Sequence, residues 1–403
     1  MNSATSDERS AWRTQLEEWF SANATLITEH DPWAVSYTTD GAEADAHFHR
    51  GVAWQQKLHD AGLAGLAVPT DYGGQGGASW QQRMFNEIAA QYEESPGFIG
   101  SMIAMLVPTL LAHGTEEQKL EWIPKVLSAE VKFCQLFSEP GAGSDLATLG
   151  TSAMRDGDMF VLNGQKVWNS GAQYADWGFV LCRTDPDVMK HAGITFMLVD
   201  MSSPGVEVRP LVQMTGAQHF NEVFLTDVSV PVENVIGEIN GGWAPARTVL
   251  SNESAFIGRG GPSAFDKLRL LAETFEVTGD AKVRQGLAEM HSREIVQRAM
   301  ATRLSAAARS GERPPVDGSM LKVFATNSRI IGSNLATGIA GPHAMSDLGP
   351  MSRWVQAELG LRFTMSIGGG TTEVQKNNIG ERMLGLPREP RPDKDLAWRD
   401  IPR

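Results

Sequence analysis

Near Val131 the spacing of apolar residues changes from a helical repeat to alternation, and near Gly241 it changes back. No single element satisfies both patterns, since a helix repeats every ~3.6 residues and a strand every second residue. The chain is therefore expected to divide into helical residues 1–130, a β-rich middle at 131–240 and helical residues 241–403. In the first part Thr5-x-x-Glu8 reads as a capping box opening a helix with Trp12, Leu16 and Trp19 on one face. A second helix runs to His59, a glycine-rich loop spans 72–77, and Met84, Ile88 and Tyr92 mark a third helix. The apolar stretch 98–111 is shorter than the ~18–20 residues of a membrane span and predicts a buried helix. Thr115-x-x-Gln118 caps the next.

In the middle part, 132–137, 159–162, 177–181, 194–199 and 220–225 are short runs of β-forming residues. Asp156-Gly157 and Asn163-Gly164, which separate them, read as hairpin turns. Runs of that length and spacing predict a β-barrel or sandwich of roughly 110 residues. Beyond Gly241-Gly242-Trp243 helices return, with breaks expected at Pro314-Pro315 and across 338–350.

Charge narrows what such a chain binds. A net charge of −13 opposes nucleic acid or an anionic membrane as partner. Phosphate remains possible, because backbone N–H groups hold it locally whatever the global charge. An apolar fraction of 42% and a charged fraction of 21% are those of a globular protein, and 403 residues suffice for two or three domains. The opening residues show neither a basic stretch nor an apolar core of a secretory signal. Cys134 and Cys182 lie in apolar strand-like runs, so buried, inert thiols in a reducing, cytoplasmic setting are expected.

Two segments carry the chemistry. Phe137-Ser138-Glu139-Pro140-Gly141-Ala142-Gly143-Ser144-Asp145 is an extended run that breaks at Pro140 and turns through two glycines. Such a turn lets backbone N–H groups and small hydroxyls approach a flat or phosphorylated ligand. Gly164-Gln165-Lys166-Val167-Trp168-Asn169-Ser170 places an aromatic face and a hydroxyl two residues apart, on one side if the segment is a strand. Each feature taken singly has a plain structural alternative: an ordinary loop, a half-buried strand aromatic at Trp168, or a helix N-cap at Ser144.

In combination these motifs resemble those of the acyl-CoA dehydrogenase family, and the resemblance covers almost the whole chain. Ser138 to Asp145 is similar to the first family signature; Gly369-Gly370-Thr371-Thr372-Glu373-Val374-Gln375, continuing to Leu384-Gly385-Leu386-Pro387, is similar to the second. Asn221-Glu222-Val223-Phe224 followed by Asp227-Val228-Ser229-Val230-Pro231 matches the end of the family's β domain. The resemblance implies an α+β fold: a helical N-terminal domain, a β-barrel or sandwich, and a C-terminal four-helix bundle. It implies FAD held by Gln135, Phe137, Ser138, Gly143, Ser144, Trp168, Asn169, Ser170, Thr371 and Glu373, with Ser144 and Gly369 also meeting substrate. Thr372-x-x-Gln375 reads at the same time as a capping box.

The reaction implied is α,β-dehydrogenation of an acyl-CoA thioester. The family's base is a Glu either directly before the Gly-Thr of the second signature, where this chain has Gly369, or in a Glu-Arg pair after the β domain. The latter position is Glu253 here, followed by Ser254 instead of Arg. By itself Glu253 reads as a solvated helix residue. Of the family's segments that reach the FAD of a neighbouring subunit, Arg-x-Phe-Gly is not recognisable between Thr274 and Arg284, and Gln-x-x-Gly-Gly is degenerate around Gly338-Ile339-Ala340-Gly341. The chain thus resembles subunits of bacterial hetero-oligomeric acyl-CoA dehydrogenases, including those acting on steroid side chains. A heterotetramer is favoured over a homo-oligomer, with Val355, Leu359 and Phe363 as candidates for its interface or, equally, for the chain's own core, and electron-transfer flavoprotein as electron acceptor. Met102, Met105 and Phe256 are candidates to shape the acyl pocket. Two alternatives stand beside this reading: a non-catalytic partner subunit, and a flavin monooxygenase or oxidase on the same fold.

Overall fold

Thr5 opens the first helix in the expected way. Its hydroxyl accepts from the Glu8 N–H (3.2 Å) while its own N–H donates to the Glu8 carboxylate (2.8 Å), satisfying two otherwise orphaned donors. The computed structural model describes residues 5–27, 32–33, 35, 41–257, 264–310, 318–346 and 349–402; the side chains of 254–257, 305 and 308–310 are also outside the description. The N-terminal helices are α1 (Ser6–Asn23), α2 (Gly41–Asp60), α3 (Ser79–Ala89), α4 (Gly97–His113) and α5 (Glu116–Leu127). Thr115 and Gln118 form the other capping box, at the start of α5. Helix α3 stops at Ala89, so Tyr92 does not extend it; it bridges to Leu26 and stacks on Phe20 at 5.0 Å. Helix α4 buries Ile99, Met102, Met105, Leu106 and Leu110, as its apolar run predicts.

Seven strands follow: β1 (Phe133–Leu136), β2 (Ser152–Asp156), β3 (Met159–Val167), β4 (Trp177–Arg183), β5 (Ile194–Asp200), β6 (Val206–Leu211) and β7 (Phe220–Pro231). They form one sheet in the order β1-β4-β2-β3-β7-β6, with β5 paired to β4. Strands β2 and β6 are additions to the expected runs. Asp156-Gly157 turns between β2 and β3 as expected, whereas Asn163-Gly164 is no turn. It lies inside β3, where the register against β7 shifts between Leu162 and Gly164. This is a bulge, buckled by the Asn163 side chain, which donates to Asp227 Oδ1 and accepts from the Asp227 N–H, both at 2.9 Å.

Alternation sorts the sheet's side chains into two cores. Phe133, Phe179, Leu181, Ile194, Phe196 and Leu198 face α4, α5 and the helix after the sheet, packing on Leu106, Leu110, Ile123 and Val249. Cys134, Leu136, Val180, Cys182, Met197 and Val199 face the other way, onto Phe160, Val223 and Val228. Each large side chain so buried stabilises the fold by about 1.5–3 kcal/mol. The same parity puts Gln135, between Phe133 and Phe137 on the helix-facing side, in position to meet that helix. Both cysteines are buried, and burial pushes the Cys182 thiol up to about 12 and raises Cys134 as well.

The C-terminal part comprises α6 (Trp243–Ile257), α7 (Ala264–Thr274), α8 (Ala281–Ser310), α9 (Gly318–Ala340), α10 (Pro350–Leu361), α11 (Thr364–Ile367) and α12 (Thr372–Asn378). Leu268, Leu271, Met290, Ala336, Ile339, Trp354 and Val355 form the core between α7, α8, α9 and α10. Val355 is therefore a core residue of this chain and drops out as an interface candidate, while Phe363 is exposed. Pro314-Pro315 lies outside the described residues; the other expected break falls between α9 and α10, with Gly338 still in α9. Among the described residues no helix is long and apolar enough to cross a membrane.

Candidate active site

Glu253 comes to the site on α6, against the helix-facing side of β1, and is half-buried. Burial raises its carboxyl above the usual carboxylate range, while a hydrogen bond from the Gln135 side chain and the charge of Lys322 pull it back. It is thus no freely solvated helix residue. Gln135, expected at the cofactor, has its amide turned to this carboxylate; the reason is the strand parity that sets it on the helix-facing side of β1 with Phe133.

Helix α9 contributes Lys322, whose ammonium donates to three successive carbonyls: Gly368 (2.5 Å), Gly369 (2.6 Å) and Gly370 (2.6 Å). Three carbonyls can converge on one cation because Gly369 (φ +63°) and Gly370 (φ +88°) occupy left-handed backbone open to glycine. A side chain at Gly370 would also strike the Gln375 amide, 2.8 Å from where its Cβ would stand. Gln375 is buried and donates to the Gly369 carbonyl at 3.3 Å. The cap of α12 is Thr371, accepting from the Val374 N–H at 3.2 Å, so the expected Thr372-x-x-Gln375 box does not form. Glu373 is exposed on the same short helix.

The first motif is held by a buried ion pair. Glu139 and Ala142 exchange backbone hydrogen bonds (3.1 and 3.0 Å) across Pro140-Gly141, making a tight turn. The Glu139 carboxylate accepts from the N–H groups of Gly150 (2.7 Å) and Thr151 (2.9 Å) and from Lys166 (2.8 Å). Lys166 is fully buried and uses its two other protons on the carbonyls of Phe137 (3.1 Å) and Leu181 (2.7 Å). Burial would raise the Glu139 carboxyl, but the ammonium beside it and the N–H donors hold it below its ordinary value.

Past β3 the chain turns sharply. Trp168 is outside the strand, at φ +64°, so the strand argument for its sharing a side with Ser170 does not apply. Its ring is 60% exposed and stands edge-on to Phe220 at 5.8 Å. A left-handed backbone at a bulky residue is costly and marks positions that the surrounding structure enforces. Here the enforcement comes from Asn169 and Asn221, which exchange backbone bonds (3.0 and 3.1 Å) while Asn169 Nδ2 donates to the Gln135 carbonyl at 2.8 Å. The Oδ1 atoms of Asn169 and Asn221 are buried without a partner.

Among the residues expected at a cofactor, Gln135 links Asn169, through its carbonyl, to Glu253, through its side chain, and Trp168 adjoins Asn169. Ser138 is half-buried at the turn, its carbonyl accepting from Val167 N–H at 2.9 Å, and Ser170 is half-buried beyond Trp168. Gly143 and Ser144 are exposed; the short helix after them, Leu146–Thr148, starts at Asp145 with no side-chain cap, so Ser144 is not an N-cap. Phe137 differs from expectation, since its ring is core, edge-on to Phe179 and Phe196, and its carbonyl is taken by Lys166. Met102 and Met105 are likewise core residues of α4, and Phe256 falls among side chains outside the description. The exposed Trp168 indole is free to stack on a flat ring, and the open backbone at Gly141 and Gly143 leaves the first motif's turn accessible to a polar group, both of which a flavin cofactor would use. Lys166 and Lys322 hold the two motifs in place, which the motifs themselves do not announce. A lysine inside a strand pattern is the available signal for Lys166, whereas Lys322 is indistinguishable in sequence from any other helix lysine.

Comparison with known proteins gives a consistent result. The N-terminal, middle and C-terminal domains of acyl-CoA dehydrogenase match residues 28–130, 134–228 and 242–384. Acyl-CoA dehydrogenase IpdE1 of Mycobacterium tuberculosis is 36% identical over 355 residues, covering 87% of this chain and 91% of that protein. Acyl-CoA dehydrogenase FadE34 of the same organism is 37% identical over 334 residues, which cover 83% of this chain but only 46% of that longer protein. Among solved structures, the ChsE4-ChsE5 complex from Mycobacterium tuberculosis matches with a TM-score of 0.73 and 29% identity, covering 96% of this chain and 100% of that one.

Proposed function

Because the chain belongs to the acyl-CoA dehydrogenases, a family of FAD-dependent oxidoreductases, we propose that it dehydrogenates an acyl-CoA thioester between Cα and Cβ with Glu253 as base. The observation that carries this reading is the Glu253 carboxyl on α6, raised by burial and met by Gln135. A base removing a proton next to a carbonyl must be ionised in the free enzyme yet basic enough to accept that proton. Burial supplies the basicity. Substrate that displaces further water would raise it more, while the Gln135 side chain opposes the rise. FAD, when bound, supplies the acceptor for the hydride that leaves the β-carbon. Trp168 would hold the ring, Ser138 and Ser170 its polar edge, and Thr371, Glu373 and Gly143 other parts of the cofactor. Ser144 and Gly369 would meet the thioester substrate.

The sign of the pH dependence follows. A carboxyl raised above its ordinary value is protonated at higher pH, so kcat/KM should fall on the acid side earlier than an ordinary Glu would make it. Glu253→Gln should keep the flavin spectrum and lose turnover by about 10²–10⁴-fold. Full activity in that variant refutes the assignment.

The assembly proposed is a heterotetramer with a related chain, working in the cytoplasm and passing electrons to an electron-transfer flavoprotein. Its support is the degraded Arg-x-Phe-Gly and Gln-x-x-Gly-Gly segments together with the likeness to the ChsE4-ChsE5 complex.

A further inference from the structure

The stretch 393–399 lies back across the β domain and meets two segments beside the first motif. The Trp398 N–H donates to the Val188 carbonyl (2.8 Å) and the Arg399 N–H to the Pro186 carbonyl (3.1 Å), so the stretch runs along the loop between β4 and β5. Arg399 also pairs with Asp187 at 2.5 Å. Trp398 Nε1 reaches further, donating to the carbonyl of Thr148 (3.1 Å), the last residue of the short helix that follows the first motif. Packed on that indole, 4.9 Å from its centre, is the buried guanidinium of Arg183, which donates to the carbonyls of Ala147 (2.6 Å) and Lys190 (2.7 Å). Lys190 closes the arrangement. Its ammonium donates to the carboxylates of Asp145 (2.7 Å) and Asp393 (2.6 Å), and its side chain is only 16% exposed. Asp145 directly follows Ser144 and opens the short helix, so one cation joins the end of the first motif to a residue 203 positions away. A lone exposed ion pair contributes little, whereas a mostly buried ammonium shared by two carboxylates, on a backbone itself fixed by Arg183, makes a network of defined geometry. At its other end the motif is fixed by Glu139; between them Gly141 and Gly143 stand in open space, so the exposed Ser144 is placed chiefly through Asp145.

We propose that residues 393–399 form a strap beside the first motif and that Lys190 is its positioning residue, holding the Ser144-Asp145 end where the thioester substrate binds. The proposal rests on the reading of Ser144 as a substrate contact. With the tie in place Ser144 is ordered before substrate arrives. Without it, binding must order the segment, and the cost of that ordering appears as lost affinity.

The test uses the flavin-loaded protein with acetyl-CoA as probe, which carries the coenzyme and the thioester but has no β-carbon and so binds without being oxidised. Its Kd is measured by titration calorimetry for the parent and for Lys190→Met, Lys190→Arg, Asp393→Asn and Ser144→Ala. Amide hydrogen exchange across 145–149 is followed in the same proteins without ligand. Lys190→Met should weaken acetyl-CoA by about 3–10-fold, the cost of ordering one or two side chains on binding, and should speed exchange across 145–149. A role in stability alone would lower the unfolding midpoint and leave Kd where it was. Lys190→Arg, which can still bridge both carboxylates, should return Kd and exchange towards the parent values. Asp393→Asn cuts the strap from the ammonium and should shift both readouts in the same direction by a smaller factor. An unchanged Kd in Lys190→Met overturns the proposal, and so does unchanged exchange across 145–149. Should Lys190→Met fail to fold, Asp393→Asn decides: a weakened Kd supports the strap, and the parent Kd overturns it. Parent affinity in Ser144→Ala would instead refute Ser144 as a substrate contact. The exchange measurement needs no ligand, so it tests the strap whatever that variant shows.

Discussion

The Lys166–Glu139 pair is where a single substitution should damage this chain most. Lys166 is 0% exposed, and the Glu139 side chain is 11% exposed. Replacing Lys166 with Met removes three hydrogen bonds at once, to Glu139, Phe137 and Leu181. It leaves a carboxylate without its cation and two buried carbonyls without that donor. Unsatisfied carbonyls cost ~1–3 kcal/mol each, and breaking a buried ion pair from one side costs about 3–5 kcal/mol in total, since the contributions overlap. The expected loss is therefore about 3–5 kcal/mol, read from urea unfolding by tryptophan fluorescence and far-UV circular dichroism at one fixed excess of FAD. Removing both charges, as in Lys166→Met with Glu139→Gln, should recover most of that loss, because no uncompensated ion remains. The pH dependence has a defined sign. In the parent chain the Glu139 carboxyl is lowered, so its stabilisation is present above the ordinary carboxylate value and is lost as pH falls through the lowered folded value. In Lys166→Met the ammonium is gone and only the Gly150 and Thr151 N–H groups oppose burial, so the carboxyl rises and the penalty is relieved by protonation. The gap between the two proteins should accordingly narrow below pH ~4. A loss under about 1 kcal/mol, or a double variant no more stable than the single one, would refute the reasoning.

Trp168→Ala should weaken FAD by about 0.5–1.5 kcal/mol, up to roughly tenfold in Kd, and perturb the flavin absorbance; unchanged affinity with an unchanged spectrum contradicts the placement. Co-expression with a related chain that carries an intact Arg-x-Phe-Gly should raise flavin occupancy and activity together. A fully flavin-loaded, active homotetramer of this chain alone would show the heterotetramer proposal to be wrong.

The broad layout is legible because the apolar period changes twice, and the capping boxes at Thr5 and Thr115 mark helix starts by local chemistry alone. Strand β6 escapes the pattern although Val206-Glu207-Val208-Arg209-Pro210 alternates, because one face is only half-buried, the other is exposed, and Pro210 suggests a break. Asn163-Gly164 carries a hairpin signal, yet residues on both sides of it pair with the same strand, β7, and only that long-range pairing shows a bulge. The motif around Ser138 is readable as a turn, but the ion pair that holds it joins positions 27 apart. Lys322 lies 46 positions from the first carbonyl it meets, so its role is a tertiary fact with no local trace. Trp168 is a further case: alternation is the right rule for β3, and it ends one residue too early to apply.

The central claim is that Glu253 takes the α-proton, and exchange of that proton reads it without any flavin reduction. The substrate is an acyl-CoA in which sulfur replaces the β-carbon, so that no hydride can leave. In deuterated buffer, the flavin-loaded enzyme should exchange the α-hydrogens of this compound, followed by nuclear magnetic resonance. Glu253→Gln should slow that exchange by about 10²–10⁴-fold while binding the compound as before. Exchange at the parent rate in Glu253→Gln would contradict the account and place the base elsewhere in the chain.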